Sequence, residues 1–136
     1  MISAFNFIQN NLNLNSFSRI FKINGRYLLA DDFDIRMYEH QILKDKYTFA
    51  LHNFGWLCTM MYSLDSSLFL EYKNLLPKLY DGILNETIGY YESIKSTALE
   101  SSLYELLDKN KIILLSQLNI LALENSPNRY MQYAKF

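Results

Sequence analysis

Few residues in this chain can make a covalent or metal-dependent site. One cysteine, Cys58, rules out an internal disulfide, and its apolar neighbourhood points to a buried thiol in a reducing compartment. Two histidines, His40 and His52, are twelve residues apart. On a helix they would lie on different faces, and neither belongs to a His-Glu-x-x-His or Glu-x-x-His pattern. Four dispersed glycines form no phosphate loop, and two prolines leave little to break the chain. The net charge of −1 with dispersed Lys and Arg provides no basic face for nucleic acid. No run approaches the roughly eighteen apolar residues of a membrane span. The first residues, MISAFNFIQNN, lack the basic start and long apolar core of a signal peptide. A cytoplasmic protein without membrane insertion is the expectation.

Apolar residues make up half of the 136 positions, with eleven Tyr and nine Phe. That length and composition suit a single domain, residues 1–136, with a substantial core. The stretch from Arg36 to Leu64 dominates the pattern. Leu43, Tyr47, Ala50, Phe54, Leu57 and Met61 recur at steps of three and four, and Phe49, His52, Trp56 and Met60 form a second stripe. This spacing predicts one long helix, covered on two sides at its C-terminal half.

Around that axis the expected elements are helical. Residues 2 to 9 place Ile2, Phe5 and Ile8 on one side of a short helix. A second, SFSRIFKI, would start at Asn15 or Ser16 and stop at Asn24-Gly25. RYLLADDFD reads as a helical turn or an extended link, with Asp32 or Asp34 capping the long helix. The sequence DSS after Leu64 provides another cap for LFLEYKNLL, and Pro77 marks the start of a new helix to about Lys95. Gly82 and Gly89, seven apart, suggest a close crossing with another helix. Thr97-Ala-Leu-Glu100 fits a capping box that opens a last helix reaching Asn125. The expected fold class is all-α, with short N-terminal helices, a long central helix and a C-terminal antiparallel helical hairpin.

No reacting pair stands out. Cys58 follows His52 by six residues on another face, and the Asp31, Asp32, Asp34 trio is explained more simply by capping than by metal binding. What remains is an aromatic and flexible interior in which an apolar cavity with a few polar groups could form. The candidate ligand pocket is Phe49, His52, Trp56, Met60 and Tyr90, with His52 and a tyrosine hydroxyl as polar contacts. No catalytic or metal residues are assigned.

The segments HNFGWLCTMMYS and SSLFLEYKNLLPKLYDGI, with this order of helices, resemble the heme-free globin-like sensor domains of Bacillus sporulation histidine kinases and the related sporulation-inhibitory proteins. The resemblance implies a globin-like bundle, but SSLFLEYKNLL has no histidine where a globin would offer one to heme, so no heme is expected. It further implies a homodimer, an apolar tunnel for a fatty acid with an anion nearby, and inhibition of sporulation signalling through a histidine kinase pathway. The alternative is a small helical interaction or inhibitor protein of immunity or phage type with a solid core.

Overall fold

Strands buried on both faces, rather than a helical stripe, organise the centre of this protein. The structure, a computed structural model, describes residues 2–25, 27–50, 57–91, 96–116, 118–124 and 132–135. In chain order it contains α1 (Ile2–Asn11), β1 (Arg19–Ile23), β2 (Tyr27–Leu29), β3 (Tyr47–Ala50), β4 (Met61–Asp65), α2 (Phe69–Leu84), β5 (Tyr90–Tyr91), β6 (Ser96–Thr97), α3 (Leu99–Leu106), β7 (Ile112–Leu115), β8 (Ile120–Glu124) and β9 (Gln132–Lys135). Short 3-10 turns join them. The main sheet runs β1-β4-β3-β7, antiparallel except for the parallel β3/β7 pair. A smaller antiparallel sheet runs β2-β8-β9, and β5 and β6 form a two-stranded ribbon.

The main sheet separates two apolar clusters. Tyr47 and Phe49 of β3, Tyr62 and Leu64 of β4, and Ile112 of β7 pack with Phe5 of α1, with Phe69, Tyr72, Leu76 and Leu79 of α2, and with Leu103 of α3. The alternate residues, Ala50, Met61, Ile113 and Leu115, join Phe21, Tyr38, Leu43, Leu118 and Ile120 on the other side. Successive strand residues point to opposite faces, so helices cover one face of the sheet while the 3-10 segments and the smaller sheet cover the other.

This mixed α/β architecture overturns the all-α, globin-like expectation. The stretch expected as one helix from Arg36 to Leu64 forms 3-10 turns at Ile35–Glu39 and Gln41–Leu43, then strands β3 and β4. Asp45 sits at φ 55°, left-handed backbone that ends any helical run there. Leu43, Tyr47, Ala50, Leu57 and Met61 are all buried, as their stripe demanded, but on strands and turns. A strand buried on both faces is apolar at nearly every position, so a helical template fits it as well as an alternating one. Phe54 lies outside the described residues.

Other boundaries move for local reasons. SFSRIFKI becomes β1, because Arg19, Phe21 and Ile23 face one way and Ile20 and Lys22 the other, and Asn13 rather than Asn15 or Ser16 provides the nearby cap. RYLLADDFD contributes β2, its extended alternative. The Asp34 and Asp65 caps form, each accepting from the backbone two residues on, although both close 3-10 turns. α2 passes through Pro77 without a break; the proline is on the exposed side of the helix. The helix stops at Asn85 instead of Lys95, with Glu86 at φ 53° just beyond it.

No capping box opens α3. Ala98 stands at its N-cap without a side-chain bond, and the Glu100 carboxylate accepts instead from Thr59 Oγ1 at 2.6 Å. α3 closes at Leu107, and the expected continuation to Asn125 becomes β7 and β8. Gly89 does mark a close approach to a helix. It has φ 63°, and a Cβ there would lie 2.1 Å from Ser102 Oγ of α3.

Buried phenols tie the helical face together. Tyr62 and Tyr72 share a hydroxyl hydrogen bond of 2.5 Å, and Tyr47 donates to Glu71, which also pairs with Lys111. Burial pushes the Tyr62 phenol up to about 12, and burial also raises Tyr72 and Tyr47. A raised folded-state value means the native protein holds protons that the unfolded chain releases. This stabilisation is fully present below the unfolded phenol value, about 10, and is lost as pH rises from there through the folded values. In an alkaline titration followed by tyrosinate absorbance and circular dichroism, part of the tyrosinate signal will therefore appear only as the fold is lost. Complete tyrosine ionisation with unchanged dichroism would contradict this packing.

Candidate functional site

Where β1 begins and β4 ends, the sheet face opposite the helices is incompletely covered. Register places Arg19 opposite Asp65. The 3-10 segments from Ile35 to Leu43 hang over this end and leave an open cleft of about 430 Å³, lined by Ser18, Arg19, Tyr38, Glu39, His40, Gln41, Leu43, Lys44, Asp65 and Ser66. The lining comes from three separate parts of the chain.

Arg19 forms the centre of this construction. Its Nε donates to Ser63 Oγ at 2.7 Å, Nη1 to the Leu43 carbonyl at 2.9 Å and Nη2 to the Lys46 carbonyl at 2.8 Å. Ser63 Oγ in turn lies 2.5 Å from Thr48 Oγ1, and both hydroxyls are buried on the same sheet face. The guanidinium thus joins β1 to β4 and to the turn entering β3. Burial lowers its basicity, and Asp65 and Tyr38 only partly offset that effect. Among the described residues it has no ion pair within 4.0 Å. Asp65 does not neutralise it at contact distance, because that carboxylate accepts from the amide and hydroxyl of Ser67. Burial raises the Asp65 carboxyl, but the Ser67 bonds, a backbone bond from Asp45 and the charge of Arg19 together hold it below the usual carboxylate range.

The rest of the wall is polar at the rim and aromatic behind. Tyr38, which lines the cleft, is held edge-on to Phe21 at 4.8 Å and stacked on Phe33 at 5.7 Å, which fixes the ring. Burial raises this phenol. The exposed His40 caps the Gln41–Leu43 turn, its Nδ1 accepting from the Ile42 amide at 3.3 Å, so a neutral ring carries its proton on Nε2. Lys44 and Glu39 complete a rim bearing both charge signs.

A second polar cluster lies across the sheet. Lys22 Nζ donates to Asn24 Oδ1 at 2.5 Å and to the Thr59 carbonyl at 2.6 Å, above the Tyr62 ring. Burial lowers its basicity, against the pull of Glu100. These contacts tie the edge strand β1 to the segment before β4 and account for Lys22 structurally. Cys58 is buried and free, as its neighbours suggested, and burial raises its thiol. Among the described residues no group of three His, Cys, Asp or Glu could hold a metal ion.

The pocket residues expected from sequence are not gathered into one place by the described part of the chain. Phe49 is fully buried and stacked on Tyr62 at 5.0 Å on the helical side. Met60 packs against the opposite cluster. His52 and Trp56 lie outside the described residues, and Tyr90 is described only as backbone of β5. The cleft residues were missed because their signal is faint: the only sequence cue to Arg19 was the alternation of Arg19, Phe21 and Ile23 with Ile20 and Lys22.

Comparison with protein-family models, curated proteins and solved structures gave no match. The chemistry must therefore be read from the residues themselves. What they build is an open cleft, with a fixed cation at its base, charged groups at its rim and an aromatic wall.

Arg19→Met will uncover the Leu43 and Lys46 carbonyls and the Ser63 hydroxyl together. The expected loss is about 2 kcal/mol, modest for three bonds because the site is partly open to water. Urea unfolding checks this; a change under about 0.5 kcal/mol would show that the guanidinium does not hold these segments.

Proposed function

We propose that this chain is a non-catalytic regulatory protein of the cytoplasm that binds a small polar ligand in the Arg19 cleft. The observation that carries this reading is a half-buried guanidinium, without an ion pair among the described residues, at the base of a cleft drawn from three parts of the chain. Cleft size supports a small molecule, since such sites run from about 300 to 1,000 Å³. Ligand binding here would bear on β1, β4 and the 3-10 segments at once. A ligand that favours one arrangement of those segments can transmit its presence to a partner surface. The lone buried Cys58 suits a reducing compartment, and no helix among the described residues is long and apolar enough to cross a membrane.

The fatty-acid tunnel, homodimer and histidine-kinase pathway were expected from the globin-like resemblance, whose all-α bundle the mixed α/β fold overturns. They form no part of this proposal. A second reading, a small interaction or inhibitor protein, has its own support. Leu70, Tyr80 and Leu84 are 51%, 61% and 64% exposed, and with Pro77 they fall along one outer side of α2.

An amide-resolved NMR titration of the intact chain with a chemically mixed fragment set separates these readings. The cleft reading predicts shifts concentrated at Ser18, Arg19, Tyr38 to Lys44, Asp65 and Ser66. Fragments that leave those amides unmoved and cluster on α2 would instead favour the interaction protein.

A further inference from the structure

The charges around the cleft restrict what it can hold, and this inference rests on reading the cleft as the binding site. A guanidinium has five N–H donors. In Arg19 three are engaged, one each on Nε, Nη1 and Nη2. One donor on each terminal nitrogen has no partner among the described residues. These donors can bond the oxygens of a carboxylate, and the bonds to Leu43, Lys46 and Ser63 hold the guanidinium in place in advance. Phosphate would also satisfy the guanidinium. The same cleft, however, sets the Glu39 and Asp65 carboxylates beside Arg19 and Lys44, so a dianion that used the cations would also face two acids.

Those acids instead suit a positive group on the same ligand. Asp65, held ionised by Ser67, and the exposed Glu39 line the cleft that Arg19 anchors. Tyr38 and His40, which also line the cleft, are residues that can hydrogen-bond without adding to its acids. We propose that the cleft binds a small zwitterion of the α-amino-acid class, its carboxylate on the free donors of Arg19 and its ammonium toward Asp65 and Glu39. Selectivity would come from needing both charges at one spacing. Either half alone leaves a charged group of the cleft without its partner.

The test is an amide-resolved NMR titration of the intact protein with L-serine, propionate, n-propylamine and inorganic phosphate. L-serine should shift the cleft amides with an affinity about tenfold or more above those of propionate and propylamine, a margin of about 1.4 kcal/mol. Glu39→Gln changes only an exposed rim residue, and should weaken L-serine severalfold while leaving propionate unchanged. Arg19→Lys keeps the charge but loses the fork, and should weaken both carboxylates. If that variant fails to fold, the wild-type ranking and Glu39→Gln still decide. Phosphate or propylamine binding as tightly as L-serine would overturn the zwitterion assignment, and so would an unchanged L-serine affinity in Glu39→Gln. If none of these four probes moves the cleft amides while other fragments do, the assignment falls and the binding-site reading survives. Silence of the cleft toward every fragment would remove both.

Discussion

Burial of β3 and β4 on both faces is the constraint on which the rest of the structure depends. Tyr47, Phe49, Tyr62 and Leu64 commit one face to the helices, and Ala50 and Met61 commit the other to the smaller sheet. A sheet clad on both sides needs its polar interior atoms satisfied internally. Thr48 and Ser63 stand side by side on the second face, each paired with the other, and Arg19 completes the group from β1. The guanidinium has no such neutral option, so it spends its remaining contacts on the carbonyls of Leu43 and Lys46. A charge placed this way is costly unless matched, and here the matching is by dipoles. The cleft is thus a consequence of how the sheet ends, with an incompletely compensated cation at the place where cladding stops.

The same logic explains why the two polar clusters differ. Lys22 lies on the helical face, where Asn24, Thr59 and the nearby charge of Glu100 close around it. Arg19 lies three residues earlier, on the other face, where only 3-10 turns cover the sheet. Turns of this kind hold position through caps and aromatic contacts, as Asp34, His40 and the Tyr38–Phe33 stack do here, rather than through a long hydrogen-bond ladder.

Much of the burial was legible in the sequence, and much of the geometry was not. Phe5 and Ile8 pack as the inner side of the first helix, and Asp34 and Asp65 cap the turns that follow them. Leu43, Tyr47, Ala50, Leu57 and Met61 were correctly marked for the interior, yet their spacing misled because strands clad on both faces carry no polar alternation to distinguish them from a buried helix. The parallel pairing of β3 with β7 joins residues about 65 apart in sequence, a relation that no local pattern encodes. The cleft depended on both points. Only when Arg19 is placed on a strand does it face Ser63 and Thr48, and only when the Arg36–Leu64 helix is dissolved can Tyr38 and His40 come to lie over it.

Native-state hydrogen exchange by NMR tests the central claim most directly. If β3 and β4 are the doubly clad heart of the fold, the slowest-exchanging amides will lie among Tyr47–Ala50 and Met61–Asp65, together with the β7 amides bonded to β3, while those between His40 and Lys46 exchange faster. Uniformly slow exchange running without interruption from Arg36 through Asp45 into Ala50 would indicate a continuous helix and contradict the account.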